Sequence, residues 1–128
     1  MNLLMLSPAR PRVERVFSGW GDYLKWGEER LQPGDSLWAW MDYAVSFGYR
    51  HLLPAEITRN HTGKIINVHI SYLPWNRGAD PNLWSFLENT PKGVSIHLID
   101  EGIDTGPILA QQLVTMQPDD TLATSFQR

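Results

Sequence analysis

The chain has no cysteine among its 128 residues, which excludes a disulfide framework, thiol catalysis and thiolate metal sites and fits a reducing cytoplasm. It has no run of Lys or Arg. Its 14 acids against 11 bases leave a formal charge of -3, so polyanion binding by bulk electrostatics is not favoured. No stretch reaches the roughly 18 consecutive apolar residues of a membrane span, so no membrane partner is expected. The apolar start, residues 1–7, is too short for a signal peptide and has no basic segment before it, so it reads as a first buried strand.

Several catalytic and cofactor signatures are missing as well. The first strand runs into a Ser-Pro-Ala-Arg-Pro segment where a dinucleotide fold would carry G-x-G-x-x-G, which disfavours dinucleotide binding. Ser71 lacks the G-x-S-x-G elbow of a serine hydrolase. A metal site on His69, His97 and Asp100 or Asp104 has none of the usual short ligand spacings, so no metal is expected.

Composition is that of an ordinary globular domain, with 42% hydrophobic and 20% charged residues, and the length suits a single core. A short helix over 12–18 would place Val13, Val16 and Phe17 on one face, and residues 19–22 would close it. Strands are expected at 3–7, 23–26, 41–47, 64–71, 93–99 and 108–116. Ser36 is the expected cap of a second helix, and a short helix follows with proline in its first turn at 54–57. Asp80 and Pro81 open a helix through about Glu88, with Leu83, Trp84 and Leu87 as its buried stripe. A last helix begins at Thr121 and is expected to be incomplete at Arg128. Most of the six tryptophans read as packing residues. Strands alternating with helices predict an α/β domain, Rossmann-like, with a mostly parallel sheet flanked by helices. Ligands in such sheets sit beyond the carboxyl ends of strands, where both polar loops are expected.

Those two loops carry the chemistry. Strand alternation puts Asn67, His69 and Ser71 on one face and Ile66, Val68 and Ile70 on the other. His97 precedes a loop containing Asp100, Gly102, Asp104 and Gly106, whose glycines and proline give it a defined shape. A carboxylate near an imidazole can order the ring, raise its pKa or take a proton. An Asn amide can donate to an oxygen that gains negative charge. Together these groups suit acyl transfer without a covalent intermediate. The loop after the His69 strand holds Trp75 and Arg77, which could line an acceptor pocket with Arg77 on an anionic group; structural support of the loop is an equal reading for Trp75. Arg50, Arg59, Lys64 and Arg77 read either as a phosphate patch or as scattered solvated charges.

The pattern Asn67, His69, Ser71, Leu73-Pro74, Arg77, Gly78, Gly93, Val94, His97 and Asp104, in that order, resembles the folate-dependent formyltransferases that act on glycinamide ribonucleotide, methionyl-tRNA or amino-sugar nucleotides. The resemblance spans about residues 42–116 and looks closer to the sugar-nucleotide branch. It implies a single catalytic domain over 1–128, 10-formyltetrahydrofolate as donor and a primary amine, nucleotide-linked, as acceptor. It implies catalytic roles for Asn67 and His69 on the formyl oxygen and for Asp104 on the amine proton. By the same resemblance Phe47, Gly48, Tyr49, Leu52, Leu53, Asp100 and Gly102 would hold the folate, and Ser71, Trp75, Arg77 and His97 the acceptor. A methionyl-tRNA acceptor is the alternative, and a noncatalytic folate- or nucleotide-binding homologue the second; a homo-oligomer is compatible with each.

Overall fold

The computed structural model describes residues 1–8, 11–20 and 23–128; the readings at 7–11 and 19–22 include positions outside these. Six strands form one sheet in the order β2-β1-β3-β4-β5-β6. They are β1 (Asn2–Leu6), β2 (Tyr23–Trp26), β3 (Tyr43–Ser46), β4 (Ile65–His69), β5 (Gly93–Leu98) and β6 (Ile108–Leu113). The helices are α1 (Pro11–Phe17), α2 (Ser36–Trp40), α3 (Ala55–Asn60), α4 (Pro81–Leu87) and α5 (Leu122–Ser125). The first four strands pair in parallel, and β5 and β6 each run antiparallel to their neighbour.

The continuous apolar run of β1 marks a strand buried on both faces. Leu4 and Leu6 join Leu31, Trp38, Met41, Ala44, Ile57 and Ile65 on one face, while Leu3 and Met5 join Val45 on the other, with Val13, Phe17, Ile66 and Val68 packed against them. Gly27 fits beneath Leu4, Leu6 and Leu31, where a Cβ would come within 3.2–3.7 Å of their methyl groups.

Several expectations change. In α1, Val13 and Phe17 pack inward but Val16 is exposed, because a seven-residue helix on a flat sheet buries only a narrow stripe. Asp35, not Ser36, occupies the cap of α2; its carboxylate accepts from the Gln32 amide and makes no cap bond. Met41 caps the far end of α2, so β3 starts later than expected. Pro54 is the cap of α3 rather than part of its first turn. The stripe on α4 is reversed: Leu83, Trp84 and Leu87 are 39%, 48% and 66% exposed. The buried position is Ser85; α4 is fastened by polar contacts, Asn82 Nδ2 to Ser125 Oγ (3.0 Å) and Lys92 Nζ to the Ser85 carbonyl (2.8 Å). Trp26, Trp38 and Trp40 pack in the core, whereas Trp20, Trp75 and Trp84 are exposed.

The antiparallel β5 also corrects the loop placement. Its carboxyl end lies beside the start of β4, with Ile66 opposite Leu98, so the 70–80 and 99–107 loops leave from opposite ends of the sheet. The first loop turns through a cis Leu73-Pro74 bond and is held by Ser95, whose hydroxyl donates to the Ser71 carbonyl (2.7 Å) and accepts from the Leu73 amide (3.0 Å). Gln111 of β6, opposite Ser95, donates to that hydroxyl (2.9 Å) and to the Leu73 carbonyl (2.8 Å). Ser95 is fully buried, so removing its hydroxyl orphans a buried amide and a buried carbonyl. Ser95→Ala should lower the unfolding free energy by about 3 kcal/mol, read by urea denaturation; a loss below about 0.5 kcal/mol would contradict this hub.

Candidate active site

Register decides what the sheet presents to the site. Leu6, Ser46, Asn67 and His97 are partners across β1, β3, β4 and β5, so one face carries a row that turns from apolar to polar. Ile65 anchors β4 in the core below Asn67 and His69, while Ile66 and Val68 pack on the opposite face. Gly93, Ser95 and His97 alternate as the buried positions of β5.

Asp104 comes to this row from the second loop. The Ile99 amide continues the ladder to the Ile65 carbonyl (2.9 Å), and the Leu98 amide closes the loop on the Pro107 carbonyl (2.9 Å). Asp100 Oδ1 accepts from the Gly102 amide (2.9 Å) and the Thr105 hydroxyl (2.7 Å). Glycine is required at 106, where a Cβ would strike the Leu98 carbonyl, while at 102 a Cβ would displace the Thr105 side chain. Asp104 itself has φ +52, a left-handed conformation that Asp tolerates better than most residues.

Four groups surround its carboxylate. Oδ1 accepts from Asn67 Nδ2 and His97 Nε2, each at 3.2 Å. Oδ2 accepts from the Gly78 amide at 2.8 Å and lies 3.5 Å from His69 Nδ1. His97 Nδ1 donates to the Leu98 carbonyl (2.8 Å) and His69 Nε2 to the Asn76 carbonyl (2.8 Å). The His97 and Asp104 side chains are 2% and 11% exposed. Burial acts against both charges, but it is outweighed. The Asp104 hydrogen bond, the Leu98 carbonyl and the Asp104 and Asp100 charges raise the His97 pKa. The His97 hydrogen bond, the Gly78 amide and the two imidazoles lower that of Asp104. The pair therefore favours imidazolium with carboxylate.

The structure thus brings Asn67, His69, His97 and Asp104 into one cluster. Ser71 is buried beside it, its hydroxyl donating to the Trp75 carbonyl (2.7 Å). Trp75 is exposed and stacks on Tyr72 with centroids 6.3 Å apart; Arg77 is exposed. Phe47 follows Ser46 out of the polar row and lines a cleft on the opposite sheet face with Val68, Ile70 and Val94. Gly48 turns the chain at φ +67. Tyr49 and Leu53 pack on the same cluster as Ile99, which joins the 47–53 loop to the start of the Asp104 loop. The Tyr49 hydroxyl donates to the Glu29 carbonyl (2.7 Å) and accepts from the Leu31 amide (3.1 Å), and Leu52 is exposed. Asp100 and Gly102 build the loop that carries Asp104. Arg59 lies 3.6 Å from Glu101, so it is not a free member of the basic patch. Sequence reasoning missed the Gly78 amide and the Asn76 carbonyl, because backbone groups leave no side-chain signature.

Fold and cluster together define a Rossmann-like α/β domain with an Asn-His-His-Asp site on one sheet face. The formyl transferase family model matches residues 36–128, and the chain belongs to the formyl transferase family. A methionyl-tRNA formyltransferase from Myxococcus xanthus is 40% identical over 86 residues, which are 66% of this chain and 28% of that protein. A phosphoribosylglycinamide formyltransferase from Bacillus subtilis is 40% identical over 82 residues, 63% of this chain and 42% of that protein. The chain therefore spans less than half the length of these curated relatives. A solved structure of the formyltransferase PseJ from Anoxybacillus kamchatkensis, in complex with UDP-4,6-dideoxy-4-formamido-L-AltNAc and tetrahydrofolate, superposes with a TM-score of 0.94 at 42% identity. That superposition covers 99% of this chain and 67% of PseJ.

The coupled shifts set a pH dependence. With a raised folded pKa, the His97 contribution to stability is fully present below the ordinary value of 6.5 and is lost as pH rises through the folded pKa. With a lowered one, the Asp104 contribution is fully present above 3.8 and is lost as pH falls through its folded pKa. Urea unfolding across pH should show stability declining above pH 6.5, and Asp104→Asn should flatten that decline. An unchanged alkaline slope in the variant would remove the pair as its source.

Proposed function

We propose that this chain transfers a formyl group from 10-formyltetrahydrofolate to a primary amine on a sugar nucleotide. The observation that carries the reading is the Asp104 carboxylate held between Asn67, His69 and His97. When bound, the folate supplies a formyl carbonyl on N10. The donor set fits that group: an amide hydrogen for its oxygen, an imidazole beside it, and a carboxylate for the incoming nitrogen.

Asn67 Nδ2 has two hydrogens, of which Asp104 engages one. The second is available to the formyl oxygen once His97 Nε2 directs its own proton at Asp104. The His69 Nδ1 to Asp104 separation of 3.5 Å exceeds a normal hydrogen bond, which leaves His69 able to address that oxygen too. The amine nitrogen bonds to the formyl carbon, the carbon–N10 bond breaks, and one amine proton passes to N10. Asp104, kept ionised by its surroundings, orients the amine and accepts its proton transiently, directly or through a water. The folate ring would lie along Tyr49 and Leu53, with Gly48, Leu52, Asp100 and Gly102 bordering it; Phe47, expected in the same pocket, instead lines the opposite sheet face. Ser71 supports the acceptor loop, whose Trp75 and Arg77 face the nucleotide-linked amine.

The likeness to PseJ, whose structure holds a UDP-sugar, supports the sugar-nucleotide acceptor. The net charge of -3 argues against a tRNA, the acceptor of the Myxococcus relative. Assay of 10-formyltetrahydrofolate with a panel of UDP- and dTDP-amino sugars, glycinamide ribonucleotide and methionyl-tRNA should show turnover with an amino sugar; absence of folate binding would sink the proposal. Asp104→Asn should lower kcat by about a thousandfold while folate affinity stays within about threefold. Equal losses in both would assign Asp104 a structural role.

A further inference from the structure

We infer that Asn76 is a positioning residue that selects which ring nitrogen of His69 works in the site. The inference rests on the formyl-transfer reading for its kinetic arm only. Asn76 has φ +57, a conformation that Asn and Gly adopt far more readily than other residues. This turns its carbonyl back onto the end of β4, where it accepts from His69 Nε2 at 2.8 Å and lies 3.4 Å from the Ser71 hydroxyl. Its side chain points the other way. Nδ2 donates to Glu88 Oε2 (2.7 Å), and Oδ1 accepts from the Thr90 hydroxyl. Thr90 is itself fixed, its amide donating to the Ser85 carbonyl (3.0 Å) and its carbonyl accepting from Lys92 Nζ (2.9 Å). One residue therefore joins the His69 ring to the far end of α4.

The chemical consequence follows from donor and acceptor capacity. A carbonyl only accepts, so His69 Nε2 must carry hydrogen in every state that keeps this bond. A neutral His69 is then the Nε2–H tautomer, with the Nδ1 lone pair toward Asp104 Oδ2. A proton reaching the ring arrives at Nδ1, 3.5 Å from that carboxylate and on the side of Asn67 and His97. With Nε2 committed, Nδ1 is the nitrogen that donates to the reacting oxygen once the ring carries a second proton. Without Asn76 the ring is free to flip or to change tautomer, and Nδ1 need not be the nitrogen turned toward the site.

The test begins with the wild-type protein. Long-range 1H–15N spectra of His69, assigned by its loss in His69→Gln, should show Nε2–H and an acceptor-type Nδ1 in the neutral ring. A predominant Nδ1–H tautomer would overturn the inference before any variant is made. Asn76→Ala, which keeps neither the backbone preference nor the side-chain clamps, should shift His69 toward a mixture of tautomers. It should also lower kcat on the order of 10- to 100-fold with KM values within about threefold. Asn76→Gly keeps the backbone conformation and should retain more of the Nε2–H tautomer and of kcat than Asn76→Ala, even if its thermal stability is lower. Loss of kcat that follows thermal stability across the two variants, with the tautomer unchanged, would reduce Asn76 to a structural residue. If wild type turns over no amine, the functional reading fails while the tautomer measurement still decides the inference.

Discussion

The Asp104 carboxylate is the point on which the site depends, because it satisfies groups from every segment that forms it. Asn67 and His69 come from β4, His97 from β5 and the Gly78 amide from the loop beyond β4. Those segments approach from opposite ends of the sheet. A buried carboxylate costs several kcal/mol unless hydrogen bonds and opposite charge compensate it, and here both do. Compensation runs in both directions: the carboxylate favours a charged His97, and His97 favours an ionised Asp104. The same interaction therefore holds the loops and sets the protonation state that the chemistry uses.

The sheet makes that arrangement reproducible. Its two-sided burial at β1 leaves the central strands no freedom to slip by a residue, since a slip would move Leu4 and Leu6 off their cluster. Fixing β1 fixes β3 and β4 through the ladder, and thereby the faces of Ser46, Asn67 and His69. On the β5 side, Ser95 and Gln111 convert a cross-strand pair into a clamp on the turn at Leu73. Asn76 continues that control from the turn to the His69 ring. Apolar packing sets the register, and a chain of polar contacts carries it into the site.

Much of the fold was legible because period-two patterns leave strong signals. The strands β4 and β5 and the shared face of Asn67 and His69 follow from alternation, and β1 from its continuous apolar run. The helices were less legible. Leu83, Trp84 and Leu87 read as a buried stripe, yet they face outward, and α4 is fastened by polar contacts from Asn82 and Lys92 that hydrophobic periodicity does not weigh. Val16 failed for a different reason, the narrow stripe that a seven-residue helix buries. His97 was legible as a site residue, but its direct contact with Asp104 and Asn67 came from the antiparallel register of β4 and β5. The sequence placed each loop at the carboxyl end of its strand, and the antiparallel β5 puts the two loops at opposite ends of the sheet.

The sequence by itself determined the residue types and their order: a carboxylate seven positions after His97, an amide and an imidazole two apart on one strand, and glycines where a side chain would obstruct the loop. It determined the alternation that separates the polar face from the apolar one, because that depends only on backbone geometry. Only the tertiary structure decided which nitrogen of each imidazole meets which oxygen, and that Gly78 and Asn76 contribute through their backbones. Those matters rest on the relative placement of segments far apart in the chain, where a fraction of an ångström separates a hydrogen bond from a gap.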